Sequence, residues 1–350
     1  MIDDMASADR LLIVAAAGLS ISNNLPNNPY HNNKDFEHHY PFMKKYGYHN
    51  CYETMGLSRD PNVPNHIKTA LIASHFLNMR SRFPPTPAYQ WLRSFAESEF
   101  QEEDVFCWTS NVDGCFERSD FPAERVYATQ GDMQNYQCNK CQNVWNCTEQ
   151  LHALDEAKLW NKTDHNFVVP ENLKISCTNC GAKDNDVIFN LRGGNWFIHK
   201  PYESVQERLL SWMDESVRLK KNVCILEVGV GRNTPIVTRI PACAFASAVV
   251  ANGGKSTYVR INPDSPEPRS ENPIDSVHFY RLRESWSVLE NILLQVQIKR
   301  EKIQKKDEVE SKGEDEKKNT DDDVDNDGES LVAACKSKYT EILYSLRTPR

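Results

Sequence analysis

Two cysteine pairs in this sequence have the spacing of metal-binding knuckles: Cys138-Asn139-Lys140-Cys141 and Cys177-Thr178-Asn179-Cys180, separated by 35 residues. Each C-x-x-C turn presents two sulfurs together, and four thiolates complete the closed tetrahedral shell that structural zinc prefers. Gly181, directly after the second knuckle, supplies backbone freedom for that turn. The rival chemistry is a dithiol redox pair, which belongs in a thioredoxin-like βαβ setting. Two knuckles without that setting point to Cys138, Cys141, Cys177 and Cys180 as zinc ligands, with Cys147 a bystander thiol.

The second constellation is a set of turns rich in small, hydroxyl and amide side chains. In LLIVAAAGLSIS, Leu11 to Ala17 reads as a strand, Gly18 permits a tight turn, and Ser20 or Ser22 begins a helix. A helix N-terminus there would offer unpaired N–H groups and a positive dipole to a pyrophosphate, while simple close packing is as common a use of the same small residues. The turn EVGVGRNTP follows Val223 to Val228 and supplies Gly229, Gly231, Asn233 and Thr234. In YVRINPD, the Asn262 amide suits ribose hydroxyls or an adenine edge, and equally the capping of its own turn. Thr109-Ser110-Asn111-Val112-Asp113-Gly114 and Thr129-Gln130-Gly131-Asp132 close two further strands. Asn111 and Asp113 alternate in direction and suit a carboxamide and a sugar, or simply two Asx turns.

These turns reach one another only if parallel strands carry them to a common edge. The apolar runs Leu11 to Ala17, Val105 to Thr109, Val126 to Thr129, Val223 to Val228, Thr257 to Ile261 and Val277 to Tyr280 read as buried strands. Helical stretches separate most of them, including Trp286 to Val296, where Leu289, Ile292, Leu293 and Val296 form a core-facing stripe. Alternation of this kind predicts an α/β fold with a parallel sheet, and the strand-end turns of such a sheet would converge on a dinucleotide crevice.

The remaining composition bounds the partners. The chain has 350 residues, room for roughly two domains at about 150 residues each. Residues 301–330 hold 13 acidic residues and 6 lysines, which leaves 35 basic and 36 acidic residues elsewhere. A body so nearly neutral argues against binding nucleic acid through phosphate neutralisation. No run approaches the ~20 apolar residues of a membrane span, and none reads as a signal or transit peptide. Eleven cysteines, an odd number, then favour a reducing intracellular compartment, cytoplasmic or nuclear. The expected organisation is a globular body over residues 1–298 with the zinc-binding knuckles within 136–184, a disordered acidic linker over 299–330, and a short amphipathic helix in 331–350. Asp323, Asp325, Asp327 and Gly328 imitate the start of a calcium loop, but its twelfth position is Ala334, where a bidentate Glu is required.

Taken in order, these motifs resemble the sirtuin family: the small-residue turn with serine, T-S-N-V-D, the two C-x-x-C knuckles, G-x-G-x-N-T-P and I-N. The likeness covers most of residues 8 to 285. YATQGDMQNYQC, ILEVGVGRNTP and FNLRGGNW are most similar to the macrodomain-linked, class M sirtuins. The resemblance implies an NAD-binding Rossmann domain with a zinc insert. It further implies that Asn111 and Gln130 contact the ribose as a catalytic pair, that Asp113 holds the nicotinamide carboxamide, and that Ala17, Gly18, Ser20, Gly231, Asn233, Thr234 and Asn262 line the NAD crevice. Ordinary sirtuin deacylases have a histidine base where this chain has Gln130. An amide cannot take that proton, and losing the base should cost a step worth roughly 10²- to 10⁴-fold in rate. The family's P-D-F-R is also absent, since Asn27, Asn28 and Pro29 follow Pro26. Class M members share the glutamine, and the resemblance implies transfer of ADP-ribose from NAD to a protein, a lipoyl-bearing carrier in the bacterial members. The alternatives are a lysine deacylase of the same fold and a non-catalytic NAD or ADP-ribose sensor.

Overall fold

The computed structural model describes residues 1–21, 36–157 with short breaks at 39, 52, 55–56, 58–59 and 82, 169–231 with a break at 184–185, 235–263, and 272–314. Its centre is a six-stranded, wholly parallel sheet. In chain order these strands are β1 (Arg10–Ala15), β2 (Val105–Thr109), β3 (Val126–Ala128), β7 (Asn222–Val228), β8 (Lys255–Ile261) and β9 (His278–Leu282). They lie side by side as β3-β2-β1-β7-β8-β9. Counted within this sheet alone, that is the 3-2-1-4-5-6 order of a doubly wound nucleotide-binding fold. The strand order reverses between β1 and β7, and in open sheets of this kind ligands bind beyond the carboxyl ends of the strands at that point.

Continuous apolar runs form the inner strands because both faces of the sheet are covered. Every residue of β1 is buried. Leu11, Ile13 and Ala15 face a layer made by α1 (Ile2–Ala6), α4 (Pro87–Glu99) and α8 (Leu289–Glu314). Leu12 and Val14 face α6 (Glu203–Arg218) and α7 (Arg239–Ala251). Helix α4 opens with Pro87 in its first turn and buries Ala88, Tyr89, Leu92, Phe95 and Ala96, the three-and-four spacing of one helical face.

A second unit hangs between β3 and α6. Strands β4 (Gly131–Cys138), β5 (Val144–Asn146) and β6 (Val187–Leu191) form an antiparallel sheet in the order β5-β4-β6. Its core joins Tyr136 and Val187 to Leu151 and Leu154 of α5 (Thr148–Glu156), and to Ala70, Ala73 and Phe76 of α3 (Asn65–Phe76). The sequence periodicity did not single out α3, which comes from the connection between β1 and β2 yet packs against the cysteine-bearing sheet. The sheet itself runs from Gly131 to Leu191, beyond both limits of 136–184.

The C-terminal expectation needs correction. Residues 299–314, read as disordered linker, continue α8 to Glu314. Their Lys, Glu and Gln side chains are strong helix formers, so a helix already nucleated by docking propagates without an apolar stripe. Ile303 carries the apolar face one turn further, and polar contacts hold the same stretch: Arg300 Nε pairs with Glu99 Oε2 at 3.1 Å, its Nη1 donates to Ala8 O at 2.9 Å, and Lys299 Nζ pairs with Asp3 Oδ1 at 2.6 Å. The remainder of the acidic run and the amphipathic segment of 331–350 lie outside the described residues. No helix among the described residues is long and apolar enough to cross a membrane.

Candidate functional site

At the switch point the turns after β1 and β7 are packed backbone to backbone. Gly18 N–H donates to Gly229 O at 2.9 Å. A Cβ on Gly18 would lie 2.5 Å from Gly229 Cα, and Gly229 itself adopts φ +66°. Only glycine fits both places. Gly18 lies within the single turn α2 (Ala17–Ser20), and its N–H is spent on Gly229; Ile21 after that turn is extended, and Ser22, the other expected helix start, lies outside the described residues. Close packing, the other reading of the small residues, therefore accounts for Gly18.

Ser20 ends that turn fully buried and begins a polar network that runs beneath the crevice. Its Oγ donates to Asp113 Oδ2 at 2.6 Å and lies 2.8 Å from Tyr89 OH. Asn111 Nδ2 reaches Ala16 O at 3.1 Å, Ser20 Oγ at 3.2 Å and Tyr89 OH at 3.2 Å. Asp113 Oδ1 accepts from Cys115 N at 2.9 Å, closing the Asx turn expected of it. Burial together with the Asp113 charge drives the Tyr89 phenol well above its ordinary pKa, so the hydroxyl stays a neutral donor and acceptor. Tyr89 was not anticipated; it lies on the buried face of α4, where periodicity announces only a core residue.

Gln130 leaves the neighbouring strand end. Thr109 pairs with Ala128, so Asn111 and Gln130 each sit two residues past the paired ends of β2 and β3. Thr129 N donates to Thr109 O at 2.9 Å, and Arg192 grips the same turn, with its N on Gln130 O and its Nε on Thr129 O, each at 2.9 Å. Among the described residues no hydrogen bond joins Gln130 to Asn111.

Beyond β7, Asn262 Nδ2 donates to Val230 O at 2.6 Å, so its amide braces the neighbouring turn. Arg239 donates to the same carbonyl and, at 3.0 Å, to Glu227 Oε1. Glu227 also pairs with Arg260 Nε at 2.9 Å and accepts from Tyr258 OH at 2.6 Å, all of it fully buried. A trans peptide sets N–H opposite C=O. Holding the Val230 carbonyl towards Arg239 and Asn262 therefore turns the Gly231 N–H the other way. Asn233 and Thr234 lie outside the described residues.

The zinc ligands meet as expected. The four sulfurs of Cys138, Cys141, Cys177 and Cys180 all lie within 4.8 Å of one another, with Cys138–Cys180 at 3.7 Å and Cys141–Cys177 at 3.5 Å. Tetrahedral zinc with bonds near 2.3 Å sets its sulfurs about 3.8 Å apart, so this cluster fits the ion. Hydrogen bonds from Asn179 and the Asn143 backbone hold the Cys141 thiol down at about 6, towards the thiolate that a metal needs. Cys147 lies apart, with its Sγ on Gln134 O at 3.1 Å.

No family model matches the chain. The chain is 30% identical over 262 residues to a probable bifunctional ADP-ribose hydrolase/ADP-ribosyltransferase of Fusarium oxysporum f. sp. cubense, a stretch covering 73% of this chain and 41% of that protein. The chain thus spans about two fifths of the length of that curated relative. Among solved structures it is similar to a Sir2 enzyme bound to a propionylated peptide, with TM-score 0.45 and 16% identity over 84% of this chain and 95% of the other. It is also similar to a complex of Sir2 with a p53 peptide and NAD+, with TM-score 0.42 and 15% identity over 84% and 95% of the two chains.

Proposed function

We propose that this chain is an NAD-dependent protein ADP-ribosyltransferase of sirtuin type, which releases nicotinamide and modifies a side chain of an acceptor protein. The observation that carries the reading is the buried network joining Ser20, Asn111 and Asp113 at the carboxyl ends of β1 and β2, beside the point where the doubly wound order reverses. The motif order from the small-residue turn to I-N supports NAD as the co-substrate, and likeness to the Fusarium protein supports the transferase chemistry.

Bound in the crevice, NAD supplies a ribose carbon that turns electrophilic as its bond to nicotinamide breaks. The rest is positioning and electrostatics. The Asn111 amide nitrogen is committed to Ala16 O and Ser20 Oγ, which leaves Oδ1 to meet a ribose hydroxyl or developing positive charge. Asp113, fixed by Ser20 and Cys115, presents its carboxylate to the carboxamide N–H. Gln130 orients a hydroxyl without taking its proton, because its amide does not titrate near neutrality. Ala17, Gly231 and Asn262 stand along the same crevice, the last acting through Val230.

The test is incubation of the protein and a cell extract with labelled NAD, alongside Asn111→Ala, following label on protein and free nicotinamide. Protein label that requires Asn111 is the expected result, and a lipoylated carrier protein is the first acceptor to try. Acyl-ADP-ribose from an acylated peptide would make the chain a deacylase instead, and NAD binding with no nicotinamide release would make it a sensor.

A further inference from the structure

One cation enters the candidate site from outside the Rossmann core. Arg80 lies in the π-helical turn Leu77–Ser81 that ends α3, and such turns displace a helix's side chains from their regular positions. Its Nη1 stands 3.2 Å from Asp132 Oδ2, with the two side chains 11% and 8% exposed. The same guanidinium covers Gly114: a Cβ built there would lie 1.2 Å from Nη1 and 2.3 Å from Cζ, and Gly114 adopts φ +62°. Gly114 therefore leaves the space that the arginine fills. Asp132 is held in turn by Gln134, whose N donates to Oδ1 at 2.8 Å. Met133 N donates to Val112 O at 3.0 Å, which stitches the start of β4 to the turn after β2.

Arg80 thus touches both turns that carry the proposed ribose-contacting residues. We propose that Arg80 is a positioning residue of this site: packed on the backbone of Gly114 and paired with Asp132, it fixes the Asn111–Asp113 turn against the Gln130–Asp132 turn. The consequence for turnover rests on the function proposed above; the tie between the turns does not. Arginine suits the task because the Nη1 end of a thin planar guanidinium enters the space that Gly114 leaves open while pairing with the Asp132 carboxylate. The charge also matters, since the Glu117 and Asp113 carboxylates both repel the Asp132 charge and Arg80 offsets them.

Breaking a buried pair from one side leaves the other charge uncompensated, so the test uses Arg80→Met, Arg80→Lys and the double variant Arg80→Met/Asp132→Asn. Hydrogen exchange at the Met133 and Cys115 amides reads the tie directly, with the β1 and β7 amides as the internal reference. Nicotinamide release reads its consequence. The expected result is faster exchange at both turn amides in Arg80→Met and in the double variant, with β1 and β7 unchanged. The double variant should regain melting temperature yet keep a kcat at least about tenfold low, with KM for NAD within about threefold of wild type, the pattern of lost positioning. Arg80→Lys should fall between. Unchanged exchange at Met133 and Cys115 would overturn the proposal, as would a double variant in which stability and kcat recover together. A wild-type protein that releases no nicotinamide would remove the functional reading, and the exchange data would then decide the tie alone.

Discussion

Ser20 and Asp113 stand 93 positions apart in the chain and share a 2.6 Å hydrogen bond that is buried from solvent. That bond joins the turn after β1 to the turn after β2, and Asn111 adds a second link through the same serine. The candidate site is therefore a braced crossing of two strand ends.

Asn111→Ala removes the amide that braces this crossing and the carbonyl oxygen proposed to face the ribose. Nicotinamide release is expected to fall by at least about 10²-fold, in the range of other electrostatic and positioning groups. Stability should fall by about 1–3 kcal/mol, because Ser20 and Ala16 lose a buried partner. Single-turnover kinetics beside urea unfolding check both; wild-type turnover in the variant would refute the site.

Gln130→His puts a titratable ring at the end of β3. Acyl-ADP-ribose from an acetylated peptide is the expected new product, with none from Gln130→Ala, since only the imidazole has a pKa near neutrality. Mass spectrometry of the nucleotide products reads the outcome.

Gly229→Ala forces a Cβ to within 2.3 Å of Gly18 C at a residue with φ +66°. The left-handed conformation and the contact together should cost at least about 2 kcal/mol. Because the two turns form the floor of the crevice, calorimetry should also find NAD binding lost, whereas Gly47→Ala, where a Cβ meets nothing within 4 Å, should leave binding intact.

Burial pushes the Asp132 carboxyl up to about 7, with Arg80 opposing the rise and Glu117 adding to it. A folded-state pKa above the unfolded one means that the folded protein holds the extra proton between about pH 4 and pH 7. Stability therefore declines as pH rises through that window and levels off above it. Urea midpoints should be lower at pH 8 than at pH 5 in wild type. Asp132→Asn should shrink the difference, with Glu117, also pushed up by burial, supplying what remains.

Zinc should be found at one ion per chain by elemental analysis and be lost in Cys177→Ala. Because Cys138 and Cys177 sit in the core that joins Tyr136, Leu151 and Phe76, losing the ion should open the three-stranded unit to proteolysis while the parallel sheet persists.

The chain's order of residues was enough to place all six parallel strands to within a few residues, because inner strands covered on both faces are apolar runs and the edge strand β9 still carries its apolar positions Phe279 and Leu282. It was enough to name the four zinc ligands, because a knuckle is a local object of four residues. It could not say that Gly18 is occupied by Gly229, that Asn262 braces Val230, or that Tyr89 and Arg80 reach the turns after β1 and β2. It also misjudged 299–314, where low hydrophobicity reads as disorder but Arg300 and Lys299 anchor a helix. Periodicity records which face of an element is buried, and composition records how much; neither records what lies opposite. Those partners are set by strand order and register, which bring together side chains from distant turns only once the sheet has formed.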